Sequence, residues 1–375
     1  AYDPVNTRMH LFGGAVWGKG YLDDIWSFDG AKWSVEDQNA PNELQNAMLA
    51  RETPRSGTAI LFGGQNEYGR YNQDTWRWDE TGWRLLSPAH SPPPRGMAAM
   101  TFDPSTGTTL LFGGNVDTLD FPGPRQIYDA ADTWTWDGTD WTEQHPATSP
   151  PARDHATMVY DEARGEVVLF GGAASGFAKG DTWTWDGTTW TEEHPVSSPP
   201  ERFAAAMTYD PINQEVVLFG GSMSKSEGWY EDTWTWDGTN WTEETPATIP
   251  PPAAYATMAY DPRSESSILF GGCQNCYGLA YGETWAWDGV DWTVHEPAKA
   301  PFARTNVTTL SGDTWVEGGV VRSRPMMLFG GRRPVLKPSG ALASYDEGTG
   351  FTADLWAFNA PELPGGQFHV YGPGR

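Results

Sequence analysis

Basic side chains, cysteine and long apolar runs are all scarce in this sequence. Its 375 residues hold 24 Lys and Arg against 49 Asp and Glu, a formal net charge of −25. Such an acidic surface repels nucleic acid and anionic membranes, so we expect neither as a partner. No apolar run approaches the roughly 18 residues that a spanning helix needs, so we also expect no membrane insertion.

The two cysteines, Cys273 and Cys276, stand together in "GGCQNCYG". A metal centre would need two further ligands, and no His or Cys pair lies nearby in the sequence. A thioredoxin-type site would need a strand-to-helix context, which is missing. We favour a disulfide that stiffens the loop, with free thiols and a metal as alternatives. No "DxDxDG" calcium loop is present, and we expect no cofactor and no metal.

Glycine, proline and tryptophan, by contrast, are abundant, with 43, 30 and 21 residues. This composition favours a rigid exported β protein over a cytosolic helical enzyme. The chain starts at Ala1 rather than at a methionine, which indicates a processed or trimmed product. We therefore expect a secreted or extracellular protein, or one of the cell envelope.

A Gly-Gly pair recurs along the whole chain and marks seven repeat units. The pairs begin at Gly13, Gly63, Gly113, Gly171, Gly220, Gly271 and Gly330, with spacings of 50, 50, 58, 49, 51 and 59 residues. Each pair ends an apolar run such as "EVVLFGG", which is typical of a buried strand. One strand precedes this run and two follow it, as in "DTWTWDGTTW". Four strands in about 50 residues, repeated, predict one propeller blade per unit.

Three features carry a family resemblance: the Gly-Gly doublet, the aromatic residue of the third strand (Trp185, for example) and the Trp of the fourth (Trp190). On these features the chain resembles kelch-repeat β-propellers, the superfamily with galactose-oxidase-like propellers, in a bacterial, secreted form. The resemblance implies an all-β, seven-bladed β-propeller of four-stranded antiparallel blades over residues 1–375. The expected blades are roughly 1–40, 41–90, 91–148, 149–198, 199–248, 249–299 and 300–375, with strands a to d running outward from the axis.

Most of the tryptophans follow the repeat and are predicted to hold blades together. Eighteen of the 21 occupy repeating positions. In "TWTWD", the period of two puts Trp183 and Trp185 on one face of strand c, against the next blade. A carboxylate recurs before strand c, as at Asp181, and is predicted to bind backbone N–H groups. The first blade is irregular, since its strand a should begin before Ala1.

The loops between strands b and c share almost nothing and are rich in aromatic rings. Rings stack on sugar C–H faces while amides and carboxylates bond hydroxyls, so this face is predicted to bind a ligand. The alternative is that the loops pack on one another. The predicted ligand-binding rings are Trp17, Tyr68, Trp229, Tyr230 and Tyr277.

Four arginines stand at the entrance to strand a, eighteen residues before Gly-Gly once an insertion in the last unit is allowed for. They are Arg95, Arg153, Arg202 and Arg304. In kelch receptors of acidic peptides, arginines at this place project into the central mouth, so the resemblance implies an anion-binding role here. The alternative is a structural role, in which they bond neighbouring loop carbonyls.

Two residues after this arginine position the units diverge, and His155 and Tyr255 stand there on non-adjacent blades. They form the one acid/base pair that the sequence supplies near the mouth, and they are candidate catalytic residues.

Three functions follow from these patterns. The first is a secreted, non-catalytic recognition propeller that binds a glycan or an acidic ligand or protein on the b–c loops and the channel mouth. The second is a sugar-acid enzyme of the uronate lyase or sialate mutarotase type, with arginine as the carboxylate anchor. The third is a structural module of an extracellular assembly. A copper-radical oxidase is disfavoured, because both cysteines lie in one loop and the seven histidines are scattered.

Overall fold

The computed structural model describes residues 41–295 with their side chains, apart from 42–43, 45, 53–57, 67, 80–81, 119–125, 225–227, 262–263 and 275–280. Outside that range it describes, by backbone alone, strands that lie between residues 2 and 37 and between 308 and 371. The described residues form strands and no helix. None of them belongs to a helix long and apolar enough to cross a membrane.

Each repeat unit contributes one four-stranded antiparallel sheet in which strands a, b, c and d pair in chain order. The strands are, unit by unit, Tyr2–Asp3, Arg8–Val16, Gly20–Phe28 and Trp33–Asp37; Met48–Arg51, Ala59–Phe62, Thr75–Trp78 and Trp83–Leu85; Ala99–Asp103, Thr108–Phe112, Thr133–Trp136 and Trp141–Gln144; Thr157–Asp161, Glu166–Phe170, Thr182–Trp185 and Trp190–Glu193; Ala206–Asp210, Glu215–Phe219, Thr233–Trp236 and Trp241–Glu244; Ala254–Asp261, Ser266–Cys273, Thr284–Trp287 and Trp292–His295; Thr308–Leu310, Met326–Phe329, Leu355–Asn359 and Gln367–Tyr371. The predicted all-β class and four-stranded antiparallel pattern are confirmed.

Further short strands lie in the connections between the main strands. They form a three-stranded sheet and three two-stranded ones: Arg95–Gly96, Asn115–Asp117 and Ile127–Asp129; Ala173–Ala174 with Phe177–Ala178; Asp313–Glu317 with Val320–Arg324; and Arg332–Arg333 with Gly350–Phe351. The pair Asp313–Glu317 and Val320–Arg324 is the insertion of the seventh unit, between its strands a and b.

The a strands of neighbouring units contact one another in succession. The order is Met48–Arg51, Ala99–Asp103, Thr157–Asp161, Ala206–Asp210, Ala254–Asp261 and Thr308–Leu310, and the last also contacts the first. This circuit joins the seventh unit to the second, a departure from the even succession of seven that the repeats predict. Among the described residues, strand a of the first unit is Tyr2–Asp3.

The apolar cores lie between adjacent sheets. Leu110 and Phe112 of the third unit pack with Trp185 and Trp190 of the fourth, and the rings of Phe112 and Trp190 meet edge to face at 5.3 Å. Trp190 also donates its indole N–H to Thr133 of the preceding unit at 3.0 Å. The same bond joins Trp141 to Thr75, Trp241 to Thr182 and Trp292 to Thr233. The predicted packing role is confirmed for the described tryptophans of strand d.

The Gly-Gly doublet is required by the close approach of the next unit. Gly113 has φ +67°, and a Cβ atom there would lie 2.6 Å from the carbonyl oxygen of Arg153. Gly114 donates its N–H to that same oxygen at 2.8 Å. Since both contacts come from backbone atoms, neither can move aside for a side chain.

This contact predicts that Gly113→Ala costs far more stability than a substitution at a glycine of similar conformation. Gly107 has φ +71°, but a Cβ atom there would have no neighbour within 4 Å, so Gly107→Ala bears the backbone strain alone, about 1 kcal/mol. Gly113→Ala adds a backbone clash, for a total of about 3 kcal/mol or more. Urea denaturation of both variants measures the difference, and equal losses would show that the approach of the next unit does not require glycine.

Candidate functional site

The b–c loops and the entrances to strand a lie at one end of the sheets. Neighbouring strands run antiparallel, so these connections share one end, and the a–b and c–d turns share the opposite end. We call the first end the loop face. Its described parts include residues 63–66, 68–74, 113–118, 126–132, 171–181, 220–224 and 228–232, together with the strand-a entrances near Arg95, Arg153 and Arg202.

Each described arginine of this set is buried and fully engaged within its own unit. Arg153 is 1% exposed, and its Nη1 and Nη2 each donate to one carboxylate oxygen of Asp181 at 2.7 Å. Nη1 also donates to the Gly171 carbonyl at 2.9 Å, and Nε donates to that of Pro151 at 3.0 Å. Arg95 repeats the arrangement with Asp132, and Arg202 repeats it with Asp232. We call each such pair an Arg–Asp clasp.

The carboxylate of each clasp also accepts a hydrogen bond from tryptophan. Asp181 accepts the indole N–H of Trp183 at 2.7 Å. Burial raises the pKa of Asp181, but the hydrogen bonds and charge of Arg153 outweigh it, so this pKa lies below its ordinary value. The repeated acids were predicted to bind backbone N–H groups, whereas in the clasps their principal partners are these side chains.

The clasps bear directly on the predicted anion-binding role. A ligand could reach Arg95, Arg153 or Arg202 only by displacing the bound carboxylates, since none of the three is more than 1% exposed. The geometry therefore favours the alternative that these arginines stabilise the fold, although their bonds go to a carboxylate as well as to carbonyls. Arg304 lies outside the described residues.

In the second unit, the pKa of the equivalent carboxyl group, Asp74, shifts in the opposite direction. Gln45 occupies the arginine position there, and burial raises the pKa of Asp74 above its ordinary value. The equivalent Asp132 has burial acting in the same direction, yet hydrogen bonds and charge from Arg95 leave its pKa lowered. The arginine thus decides the sign of the shift.

These opposite shifts predict opposite effects of removing the charge. At pH 7, Asp181→Asn leaves Arg153 buried without its anion and should cost about 3 kcal/mol of unfolding free energy. Asp74→Asn removes a partly buried charge that no described arginine compensates, and should raise stability or leave it unchanged. Urea denaturation of the two variants beside wild type tests this, and a loss of equal size at both positions would contradict it.

The pH dependence follows with the sign worked out for each group. The pKa of Asp181 is lowered in the folded state, so its contribution is complete above the unfolded value of about 3.9 and is lost as pH falls through the folded value. For Asp74 the folded pKa is raised, so the gain from Asp74→Asn should be largest at neutral pH and should vanish in acid.

The predicted ligand-binding rings fall into different surroundings. Tyr68 is 76% exposed on its loop. Tyr230 instead covers the guanidinium of Arg202, 4.1 Å from its ring centroid, and its hydroxyl donates to the Glu201 carbonyl at 3.4 Å. Trp229 is partly buried and pairs by its backbone with Ser222. Trp17 and Tyr277 lie outside the described residues.

Two further rings stand exposed on the loop face. Phe177 is 75% exposed and Tyr128 is 49% exposed. Their loops are joined, because the backbone N–H of Ser175 donates to Asp129 at 2.7 Å. Both rings lie in variable loops of the sequence. Nothing in the sequence distinguishes an exposed ring from one that covers another side chain, as Tyr230 covers Arg202.

Five residues at the strand-a entrances adopt left-handed backbone conformations and are joined by hydrogen bonds from unit to unit. They are Asn46, Met97, His155, Ala204 and Tyr255, with φ between 50° and 60°. Each N–H from Met97 onward donates to the carbonyl of the equivalent residue in the preceding unit, at 2.8 to 3.1 Å. Such conformations are rare for bulky side chains and often mark functional positions. We call these five residues the entrance residues.

Two entrance residues on non-adjacent units come into contact. The rings of His155 and Tyr255 meet at 5.3 Å with an interplanar angle of 81°. Ala204 stands between them in the succession and presents only a methyl group, while Phe203 lies 5.9 Å from the imidazole. The structure therefore brings the candidate pair together but places Arg153 and Arg202 within their sheets, bound to carboxylates.

A polar network that the sequence did not predict lies beside the imidazole. His155 Nδ1 lies 3.1 Å from Asp154 Oδ1. Asn115 donates to Asp154 at 2.9 Å and to Asp129 at 2.8 Å. The adjacency of Asp154 and His155 was the one available sequence signal. The His155 Nε2 atom is buried and has no hydrogen-bond partner among the described residues.

The cysteine and metal predictions are only partly within the described residues. Cys273 is buried and disulfide-bonded, while Cys276 lies outside them, so the pairing of the two stays a prediction. Within the described part of the chain, no group of three or more His, Cys, Asp or Glu side chains is placed to hold a metal ion.

The most perturbed carboxyl group lies away from the loop face. Burial, then Glu244 and Asp210, raises the pKa of Glu215 to about 7. Glu215 begins strand b directly after the a–b turn, so it belongs to the opposite end of the sheet and cannot act with His155.

Comparison with known proteins assigns no family to this chain: no family model matches it, and no curated protein does.

Proposed function

We propose that this protein is a secreted kelch-type propeller that recognises a neutral glycan on its loop face without catalysing a reaction. Two observations together carry the proposal. Aromatic rings are exposed on that face, and the described arginines that were predicted to bind an anion are bound inside the sheets. Tyr68 and Phe177 each leave about three quarters of their side chain exposed, at 76% and 75%.

The proposed architecture is a seven-bladed propeller with one blade per repeat unit. It is supported by seven four-stranded sheets in the described residues, by cores between adjacent sheets, and by a strands that contact one another in a circuit. The contact of Thr308–Leu310 with Met48–Arg51 passes over the first unit, so the first blade would join through its outer strands.

Exposed rings beside amides and carboxylates suit a carbohydrate. A sugar presents flat C–H faces that stack on Tyr128, Tyr68 or Phe177, and hydroxyls that bond to polar side chains. Asn115, Asp129 and Asp154 supply such groups at the same end of the sheets. The three exposed rings come from three successive units, so more than one sugar residue could be engaged.

The charges on the loop face favour a neutral glycan over an acidic ligand. The described arginines that would attract an anion already bind Asp132, Asp181 and Asp232. Asp129 and Asp154 remain near the entrance residues, and the whole chain carries −25. An anionic ligand would therefore meet repulsion from this acidic surface, which the loop residues Arg70 and Lys179 offset only in part.

A second candidate, a sugar-acid enzyme, is favoured by one observation, the contact of His155 with Tyr255 at 5.3 Å. It would use these groups to transfer a proton. Its carboxylate anchor is missing from their described surroundings, because Arg153 and Arg202 point into their clasps. Absorbance of unsaturated products from polyuronates, lost on changing His155, would establish this activity in place of binding alone.

The binding proposal predicts that Tyr68→Ala and Phe177→Ala each weaken binding to a neutral oligosaccharide. Loss of one stacking ring should reduce affinity roughly tenfold and leave the thermal midpoint unchanged, because both rings are exposed. Isothermal titration with cellohexaose, xylohexaose, mannohexaose and chitohexaose measures this.

Val290→Ala is the matched control, since Val290 is 76% exposed but lies in a c–d turn at the opposite end. It should bind as wild type does. Tighter binding of polygalacturonate than of every neutral sugar, or equal weakening by all three variants, would overturn the proposed site.

A further inference from the structure

His155 carries two features that cost folding free energy. Its φ of +50° lies in the left-handed region, where a bulky side chain is strained and Asn is the favoured non-glycine residue. Its Nε2 atom is buried with no hydrogen-bond partner among the described residues. An unpaired buried polar atom and a strained backbone at one residue are together a mark of function.

The proton on the imidazole is placed by Asp154. The carboxylate oxygen Oδ1 of Asp154 lies 3.1 Å from Nδ1, so its negative charge favours the neutral tautomer that carries its proton on Nδ1, and Nε2 then has the lone pair. Asn115 in turn holds Asp154 and Asp129, and the Ser175 N–H holds Asp129. This chain of bonds fixes the ring orientation and leaves Nε2 as an acceptor.

The rings of Phe203 and Tyr255 both lie beside the imidazole. Phe203 is 3% exposed and belongs to a small cluster with Ala173 and Ala178, against which Ala204 and Tyr255 pack while partly buried. The ring of Tyr255 lies 5.3 Å from the imidazole at 81° to it, so a turn of this side chain would change the exposure of the imidazole. Ala204, which stands between the two in the succession of units, carries only a methyl group.

We infer that His155 is the polar anchor of the glycan site, with Nε2 accepting a hydrogen bond from a sugar hydroxyl that enters when Tyr255 turns aside. This inference rests on the proposed function. Phe203 and Tyr255 flank the sugar's C–H face, and Asp154 is the positioning residue that sets the tautomer. The ligand group is thus an uncharged hydroxyl donor at the centre of the loop face.

The test is His155→Asn, with Met97→Asn as its matched control. Asn46 occupies the equivalent entrance position with φ +57°, so the backbone at either position accommodates asparagine. The Met97 side chain contacts the Tyr71 hydroxyl, and Met97 meets His155 through its backbone carbonyl, which the substitution by asparagine retains. Against the best-bound of the four neutral hexaoses, we expect His155→Asn to weaken binding roughly fivefold or more and Met97→Asn to leave it within about twofold.

Nitrogen-15 NMR of the imidazole in the wild-type protein gives a second readout that does not depend on folding of a variant. The free protein should show a protonated Nδ1, and saturation with the hexaose should shift the Nε2 resonance. An unshifted Nε2 at saturation would overturn the inference.

The outcomes separate the two proposals. If Tyr68→Ala weakens binding but His155→Asn does not, the glycan site stands and the anchor is wrong. If none of the four hexaoses binds the wild-type protein, the proposed function and the anchor both fail.

Discussion

The Arg–Asp clasp is the interaction on which the loop face depends, because one residue joins its own sheet to the preceding one. The Arg153 side chain binds Asp181 and so ties the entrance of strand a to the start of strand c. Its backbone carbonyl accepts the N–H of Gly114 in the preceding unit, and its own N–H donates to Ala130 there. Burying so large a cation is tolerable only with a bidentate anion and carbonyl acceptors around it.

The use of arginine inside the sheets decides what the surface can recognise. With these cations enclosed, the described loop face presents rings, amides and carboxylates beside Arg70 and Lys179, and this combination is the basis of the neutral glycan that we propose. The entrance residues lie directly after the clasps, so the same framework that encloses Arg153 holds His155 in its strained conformation. Arg153, which stabilises the fold, and His155, which we propose contacts the ligand, are therefore only two residues apart in the chain.

Repetition made the strands, the Gly-Gly doublet and the packing of the strand-d tryptophans predictable, because a pattern seen in every unit reports a shared contact. His155 and Tyr255 could be paired from the sequence because they occupy equivalent positions. The direction of the arginines could not be predicted, since an anion 28 residues away in Asp181 and an external ligand satisfy the same guanidinium. The Asp154–Asn115–Asp129 network could not be predicted either, because it depends on the conformations of loops that differ between the units.

A double-mutant cycle on Arg153 and Asp181 is the most direct test of the central claim that the clasps belong to the fold. Urea denaturation of Arg153→Met, Asp181→Leu and the double variant gives the coupling free energy between the two side chains. A buried bidentate pair predicts a coupling of about 2–3 kcal/mol, with the double variant more stable than at least one single variant. A coupling free energy near zero would contradict this claim and would favour the predicted anion-binding role of the arginines.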